Sequence, residues 1–224
     1  MEINFKKFFL IIILPFFINC FEYEETIHFK KGFAGYVNIE YAVPIHPKTG
    51  KTLVRFLPIT SEEIENRINK GFFNKNLRIR NFKFQVLDPE PLSTWGPNIK
   101  PLFTKKAKVS YRLDFTDLGN LDGVLLGYLF VKKRGNSITV RREFKSVLKG
   151  IDPDSSPGEK KIRSETVRLL GDGYVLFKVE FPISSDCKSN KGEIGLGSLI
   201  YKLPLVDTIE KPGIKSWDYS IYNN

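Results

Sequence analysis

The feature that most constrains the fold of this chain is a strict alternation of apolar and polar residues, clearest over residues 106–115. Successive side chains of a β-strand point to opposite faces, so a period of two predicts a strand with one buried face and one wet face. Every second position of this segment is apolar: Ala107, Val109, Tyr111, Leu113 and Phe115.

The same alternation recurs along the chain, and two pairs of segments flank turn residues. Residues 21–30 and 37–43 predict a β-hairpin, and residues 125–133 and 137–145 predict a second one around Arg134-Gly135-Asn136. The remaining predictions are strands at 77–87 (with a bulge near Asn81), 174–181, 199–205 and 217–222, a turn or single helical turn at 117–123, and a loop at 184–191.

One segment has a strong helical pattern. Thr60 and Glu63 have the spacing of a capping box, and Ile64 and Ile68 follow at the four-residue spacing of a helix face. We therefore predict one main helix, at about residues 60–72. Many strands with one helix predict an α+β fold, in which the helix packs on a mostly antiparallel β-sheet.

The N-terminal segment has the pattern of an export signal. Lys6 and Lys7 precede an uncharged apolar run, residues 8–18, which is shorter than the roughly 20 residues that a membrane-spanning helix needs. We therefore divide the chain into a signal peptide, residues 1–19, and one β-rich domain, residues 20–224. No later segment is apolar enough to predict a second membrane crossing.

Cys20 directly follows the apolar run, and Phe17-Ile18-Asn19-Cys20 resembles the looser lipoboxes of spirochaetes. The chain thus resembles an exported bacterial lipoprotein, which implies cleavage before Cys20, a diacylglycerol on its sulfur and further acylation, for example with palmitate. Acyl chains contribute about 0.8 kcal/mol per buried methylene to membrane binding. A signal peptide that is cut elsewhere is the alternative. If Cys20 is acylated, Cys187, the other cysteine, has no partner within the chain and is a plain loop residue or an intermolecular link.

The chain is basic, with a formal net charge of +10. In an exported protein this charge favours a membrane surface, an anionic lipid or glycolipid, or an anionic polysaccharide over nucleic acid. If the strands that carry them are neighbours, the basic residues form one cationic patch; otherwise they belong to an ordinary solvated face. The predicted ligand-binding residues are Lys106, Lys108, Arg112, Lys132, Lys133 and Arg141, and the same basic run includes Arg142.

No catalytic constellation is present in the sequence. His28 and His46 have no cysteine or carboxylate at the spacing of metal ligands, and there is neither a nucleophile elbow nor a phosphate loop. We interpret Asp114, Asp117 and Asp122 as a solvated turn. The sequence predicts a non-enzymatic protein with no metal and no cofactor.

Three segments resemble the LppM-like lipoprotein domain: EETIHFKKGFAGYVNIEYAVP, KVSYRLDFTDLGNL and KVEFPISSDCKSNKGEIGLGSLIYKLPL. The resemblance implies a curved sheet with a helix, a lipid-sized apolar groove that binds glycolipid, and no catalytic residue.

Three functions therefore stay open: a lipid- or glycolipid-binding envelope lipoprotein, a surface adhesin for sulfated host polymers, and a structural or assembly lipoprotein. We expect the protein at the cell envelope, on the outer rather than the inner membrane, either periplasmic or surface-exposed.

Overall fold

The computed structural model describes residues 22–46, 48–52, 57–70, 77–87, 105–144, 173–205, 207 and 213–223. Strands dominate this part of the chain, which also holds one α-helix and a 3-10 helix at Leu118–Leu121. The elements in chain order are β1 (Glu22–Phe29), β2 (Gly35–Ile45), α1 (Ser61–Lys70), β3 (Ile79–Leu87), β4 (Lys105–Phe115), β5 (Tyr128–Arg134), β6 (Ser137–Phe144), β7 (Tyr174–Glu180), β8 (Ser185–Ser189), β9 (Glu193–Gly195), β10 (Ser198–Pro204) and β11 (Lys215–Asn223).

The strands form two sheets. One has seven strands in the order β3-β4-β2-β1-β7-β10-β9, and the other has four in the order β5-β6-β11-β8. Neighbouring strands are antiparallel except β1 and β7, which are parallel and make the larger sheet mixed. The prediction of a single sheet in an α+β fold is therefore corrected to two sheets in a β-dominated fold. Periodicity reports which face of a strand is buried but does not identify the strand's partners.

The core lies between the inner faces of the two sheets. Phe177 of β7 stacks on Phe144 of β6 at a centroid distance of 5.0 Å and lies 5.5 Å from Trp217 of β11. Close packing of such aromatic side chains contributes much of the buried apolar area. Every inner-face residue predicted for the segment 106–115 is buried, so that prediction is confirmed.

Helix α1 covers another part of the larger sheet. Ile64 and Ile68 of its apolar face are buried, and the Tyr41 hydroxyl of β2 donates a hydrogen bond to the carbonyl oxygen of Pro58. The predicted N-cap is confirmed, because Thr60 Oγ1 accepts from the Glu63 amide at 3.2 Å. Residues 71 and 72 of the predicted helix lie outside the described residues.

Both predicted hairpins are confirmed, as are the strands around residues 77–87, 174–181, 199–205 and 217–222. The bulge is also confirmed, since the register of β3 on β4 shifts between Arg80 and Lys83, and Asn81 has a φ of 54°. After β4, Asp117 caps the 3-10 helix by accepting from the Gly119 amide at 2.8 Å.

One loop prediction is wrong. Strand β8 lies within the predicted loop 184–191 and pairs with β11, and it places Cys187 opposite Ile221. Its sequence, SDCKS, has no run of alternating apolar residues, so backbone pairing with β11 rather than side-chain burial defines this strand. The predicted signal peptide, residues 1–19, and Cys20 lie outside the described residues. Within the described ranges, no helix combines the length and the apolar character that crossing a bilayer requires.

Candidate functional site

The larger sheet has a pocket at each of its two ends, and the linings of the two pockets differ in charge. We call the end where β1 begins, at Glu22, the anchor end, because the predicted acylation site Cys20 lies two residues upstream in the sequence. The opposite end, at the turn of residues 30–34 between β1 and β2, is the turn end. The eight residues of β1 separate the two ends by about 25 Å. Glu22, Glu24 and Glu40 surround a small pocket at the anchor end, where Lys108 is the one cation in its lining.

A cleft of about 450 Å³ opens at the turn end. Its charged lining consists of three cations and one carboxylate: Lys30, Arg80, Arg112 and Asp114. Gly35, at the start of β2, allows the backbones of β1 and β2 to approach closely at this point, because a Cβ there would lie 1.9 Å from the carbonyl oxygen of His28. The cleft is therefore charged rather than lined as an apolar groove.

Two arginines from neighbouring strands converge on one carboxylate in this cleft. Arg80 and Arg112 are directly opposite each other in the pairing of β3 with β4, and Asp114 lies two residues further on the same face of β4. Arg112 Nε and Nη2 lie 2.8 and 2.7 Å from Asp114 Oδ1. Arg80 Nε lies 2.8 Å from Asp114 Oδ2. All three contacts are charge-assisted hydrogen bonds.

Aromatic stacking holds Arg112 in this position. Its guanidinium lies 3.7 Å from the centroid of the Tyr36 ring, which is itself stacked on His28 at 4.3 Å. The side chain of Arg80 is 64% exposed and those of Arg112 and Asp114 are about one-third exposed, so solvent reaches all three groups. The cleft thus presents an oriented pair of guanidinium groups to solvent.

His28 supports the Tyr36 ring from the polar side of β1, as predicted. Its Nδ1 lies 2.6 Å from Glu180 Oε2, and its Nε2 lies 3.3 Å from Asn38 Nδ2. Burial lowers the pKa of His28, and the cations Lys178 and Arg112 lower it further, which together outweigh the carboxylate of Glu180. A neutral ring therefore donates from Nδ1 to Glu180 and accepts at Nε2 from Asn38.

The predicted basic residues do not form one patch. The strand β4 belongs to the larger sheet and the hairpin β5–β6 to the smaller one, and the outer faces of two packed sheets point away from each other. Lys106 and Lys108 lie near the anchor end, where Lys108 pairs with Glu40 at 2.7 Å. Arg141 lies on the outer face of the smaller sheet and pairs with Asp218 at 2.6 Å.

Tertiary packing brings Lys133 to the same end of the molecule as Arg112. Lys133 Nζ donates to the carbonyl oxygen of Gly32 at 2.9 Å and lies 5.7 Å from the centroid of the Phe33 ring. Lys132 points to the outer face of the smaller sheet, next to Thr139 in the register. Of the six predicted residues, Arg112 alone lines the cleft.

A family model described as LIC11874-like matches residues 15–224 of the chain. The protein belongs to the LIC11874-like family. No curated protein matches its sequence. Among solved structures, the chain is similar to the folded domain of the Mycobacterium tuberculosis LppM protein, determined by NMR, with 11% identity, a TM-score of 0.45, and coverage of 92% of this chain and 91% of that one. The weak LppM-like resemblance seen in the sequence is thus found again, but at this level it transfers no ligand.

Three charged cleft residues of this LIC11874-like protein are not among the predicted ligand-binding residues. Arg80 is the second residue of β3, directly before the bulge, and its place opposite Arg112 depends on how β3 pairs with β4, which no local pattern reveals. Lys30 ends the predicted strand 21–30, and no local feature marks it as part of a site. Asp114, interpreted as part of a solvated turn, is the carboxylate between the two arginines.

One arginine in the basic run of this LIC11874-like chain does not lie on the surface. Arg142 is completely buried between the sheets, where its Nη1 and Nη2 lie 2.5 and 3.1 Å from the two oxygens of Glu25. The alternation itself carried this information, because Arg142 has the same parity as Val140 and Phe144. Glu25 likewise has the parity of the apolar residues Tyr23 and Ile27.

Metal chemistry has no candidate in the described part of the chain. Within those ranges, no three histidine, cysteine, aspartate or glutamate side chains group closely enough to hold a metal ion. The donor set of the cleft, two guanidinium groups and an ammonium, instead suits anions such as phosphate, sulfate or carboxylate.

Proposed function

We propose that the protein is a lipid-anchored binding protein of the cell envelope that holds a phosphate or sulfate group of its ligand in the cleft at the turn end. The convergence of Arg80 and Arg112 in a solvent-filled cleft carries this proposal. Guanidinium groups recognise oxyanions through paired N–H donors, and two of them on rigid strands are oriented before the ligand arrives. The proposal assigns the protein a binding role and no catalysis.

The position of the anchor supports a ligand presented away from the anchoring membrane. Two peptide units separate Cys20 from Glu22, so their Cα atoms are at most about 7.6 Å apart. A lipid on Cys20 would keep the anchor end close to the bilayer, and the cleft lies about 25 Å from that end along β1. The pocket at the anchor end has three glutamates and one lysine in its lining, so the pocket itself does not attract an anionic headgroup.

The shared chemistry of the ligand, a phosphate or sulfate group, has two sources: the headgroup of a lipid or glycolipid, and a sulfated polysaccharide. The test uses full-length protein, added from mild detergent either to immobilised heparin or to vesicles with and without phosphatidic acid, whose headgroup is a phosphate monoester. The difference between the two kinds of vesicle removes the contribution of the acyl chains, which insert into both. A variant with Arg80→Gln and Arg112→Gln tests the cleft. Its matched control, Lys132→Gln with Arg141→Gln, removes the same charge from the outer face of the smaller sheet.

We expect the cleft variant to lose roughly tenfold in affinity for one of the two probes and the control to lose less than about threefold, because surface charges away from a site act through a screened field. Loss on heparin alone identifies a sulfated polymer, and loss on vesicles alone identifies a lipid headgroup. Equal losses in both variants would contradict a specific cleft and indicate that net charge alone drives binding.

The anchor is tested separately by metabolic labelling with palmitate. We expect label on the mature protein and none on a Cys20→Ala variant, because the sulfur of Cys20 is the proposed acylation site. An unlabelled wild-type protein, or a Cys20→Ala variant that stays in the membrane fraction after processing at the same position, would contradict lipid anchoring.

A further inference from the structure

The carboxylate of Asp114 occupies the groups that an anionic ligand would use. It receives hydrogen bonds of 2.7–2.8 Å from Arg80 and Arg112, through both of its oxygens. An external carboxylate would offer the arginines the same chemistry. Asp114, however, is tethered to the same strand as Arg112, and a tethered group acts at a high effective concentration.

The cleft nevertheless keeps an excess of positive charge. Lys30, Arg80 and Arg112 face a single carboxylate in its lining. Each guanidinium has five N–H donors, and Asp114 engages only the Nε side of Arg80 and the Nε and Nη2 side of Arg112. A second anion can therefore bind the remaining donors, and the three cations attract it while Asp114 repels it.

We propose that Asp114 is a built-in competitor of the cleft, which lowers the affinity of the cleft for every anion so that only multiply charged oxyanions, such as phosphate monoesters or clustered sulfates, bind appreciably. This inference rests on the proposed function. A ligand must take N–H donors from Asp114 and is repelled by its carboxylate, and the attraction of the three cations offsets this cost. Because the Coulomb energy scales with the charge of the ligand, a dianion gains twice the net attraction that a monoanion such as a single carboxylate gains.

The alternative role for Asp114 is structural: it would hold two like-charged arginines side by side, and its loss would let them separate. The two roles predict opposite results. Removing a competitor strengthens the binding of every anion, whereas removing a support weakens it.

The test compares wild-type full-length protein with Asp114→Asn, which keeps the shape of the side chain and removes its charge. The matched control is Asp218→Asn, which removes the same charge from a carboxylate paired with Arg141 on the other sheet. Binding of inorganic phosphate and of acetate is titrated at constant ionic strength and about pH 8, where phosphate is mostly a dianion. A second variant, Asp114→Ser, repeats the loss of charge with a different side chain, and a thermal melt verifies that each variant is folded.

We expect Asp114→Asn to bind phosphate about 3- to 10-fold more tightly than wild type, and to bind acetate measurably where wild type does not. Both Asp114 variants should bind phosphate and acetate more tightly than wild type does, and Asp218→Asn should bind both anions as wild type does. Weaker or equal phosphate binding in both folded Asp114 variants, with wild-type binding intact, would overturn the competitor role and leave the proposed function standing. If folded wild-type protein and both Asp114 variants bind no phosphate, the proposed function fails as well.

Discussion

Arg141 and Arg142 are adjacent in β6, and each pairs with a carboxylate, yet the two ion pairs lie in opposite environments. Arg141 is 57% exposed and meets Asp218 on the outer face of the smaller sheet. Arg142 is fully buried and meets Glu25 of the other sheet. Adjacent residues of a strand thus lie on opposite faces, one toward solvent and the other toward the protein interior.

The surroundings of the two pairs differ as much as their exposure. The Arg142 guanidinium lies 4.5 Å from the centroid of the Phe177 ring, and its Nη2 donates to the carbonyl oxygen of Leu126 at 2.5 Å. The Tyr23 hydroxyl donates a further hydrogen bond to Glu25 Oε2, at 3.0 Å. Burial by itself would lower the pKa of Arg142, but the neighbouring Glu25 outweighs burial, and the pKa is raised.

This difference shows that a count of charged residues in a sequence overestimates the number of charges at the protein surface. A buried pair costs several kcal/mol of desolvation, which its mutual attraction recovers only with well-formed hydrogen bonds. The Glu25–Arg142 pair joins the two sheets through hydrogen bonds of Arg142 Nη1 and Nη2, while Arg142 Nε is buried without a hydrogen-bond partner among the described residues. The exposed Arg141–Asp218 pair lies within the smaller sheet.

Breaking the buried pair should have the largest effect. We expect Arg142→Ala to lower the free energy of unfolding by about 3–5 kcal/mol, because it leaves the carboxylate of Glu25 buried without its cation. Urea unfolding at pH 7 measures the change. A loss below about 1 kcal/mol would show that solvent reaches Glu25 and would remove the contrast between the two arginines.

Replacing both partners should cost less than removing one. In a Glu25→Leu, Arg142→Met variant no charge is left buried, but the hydroxyl of Tyr23 and the carbonyl of Leu126 lose their partners. We therefore expect a loss of about 1–3 kcal/mol in urea unfolding. A double variant as unstable as Arg142→Ala would mean that packing, rather than uncompensated charge, causes the destabilisation.

Tyr219 extends the comparison to alkaline pH. Burial raises its pKa above the ordinary 10.0, and its hydroxyl has no hydrogen-bond partner among the described residues. Above pH 10 the unfolded chain releases a proton that the folded protein keeps, so stability present below pH 10 is lost as the pH rises. Tyr219→Phe should leave stability at pH 7 nearly unchanged.

The same variant should weaken the alkaline loss of stability by about 1.4 kcal/mol per pH unit, the contribution of one proton. Urea unfolding at a series of pH values from 7 to about 11 measures this slope. Identical slopes in the two proteins would show that the Tyr219 hydroxyl ionises in the folded state, and hence that water enters the space beside Arg142.

The exposed pair should give the smallest effect. Arg141→Ala removes the same side chain one position away, and we expect a loss of stability much smaller than that of Arg142→Ala, which disappears in about 1 M NaCl. The effect of Arg142→Ala should persist in that salt, because buried charges are screened little. A salt-independent loss at Arg141 would contradict its assignment as a solvated pair.

The alternation of side chains was a reliable guide wherever it was followed strictly. It predicted both faces of β4 and the two hairpins, and the capping residues Thr60 and Glu63 predicted where α1 begins. It failed at β8, whose five residues are held by pairing with β11 and carry no pattern of their own. At Glu25 and Arg142 the alternation indicates burial although both residues are charged, and both are buried.

The sequence by itself determined which side of each patterned strand meets the core, because that choice depends on a local period of two and on the cost of exposing apolar area. Only the tertiary structure decided that β4 and β5 belong to different sheets, that Arg80 faces Arg112, and that Lys133 reaches the turn before β2. These relations depend on pairing between segments that are distant in the sequence. The free energy of that pairing comes from the packing of the whole core, so no single stretch of the chain predicts it.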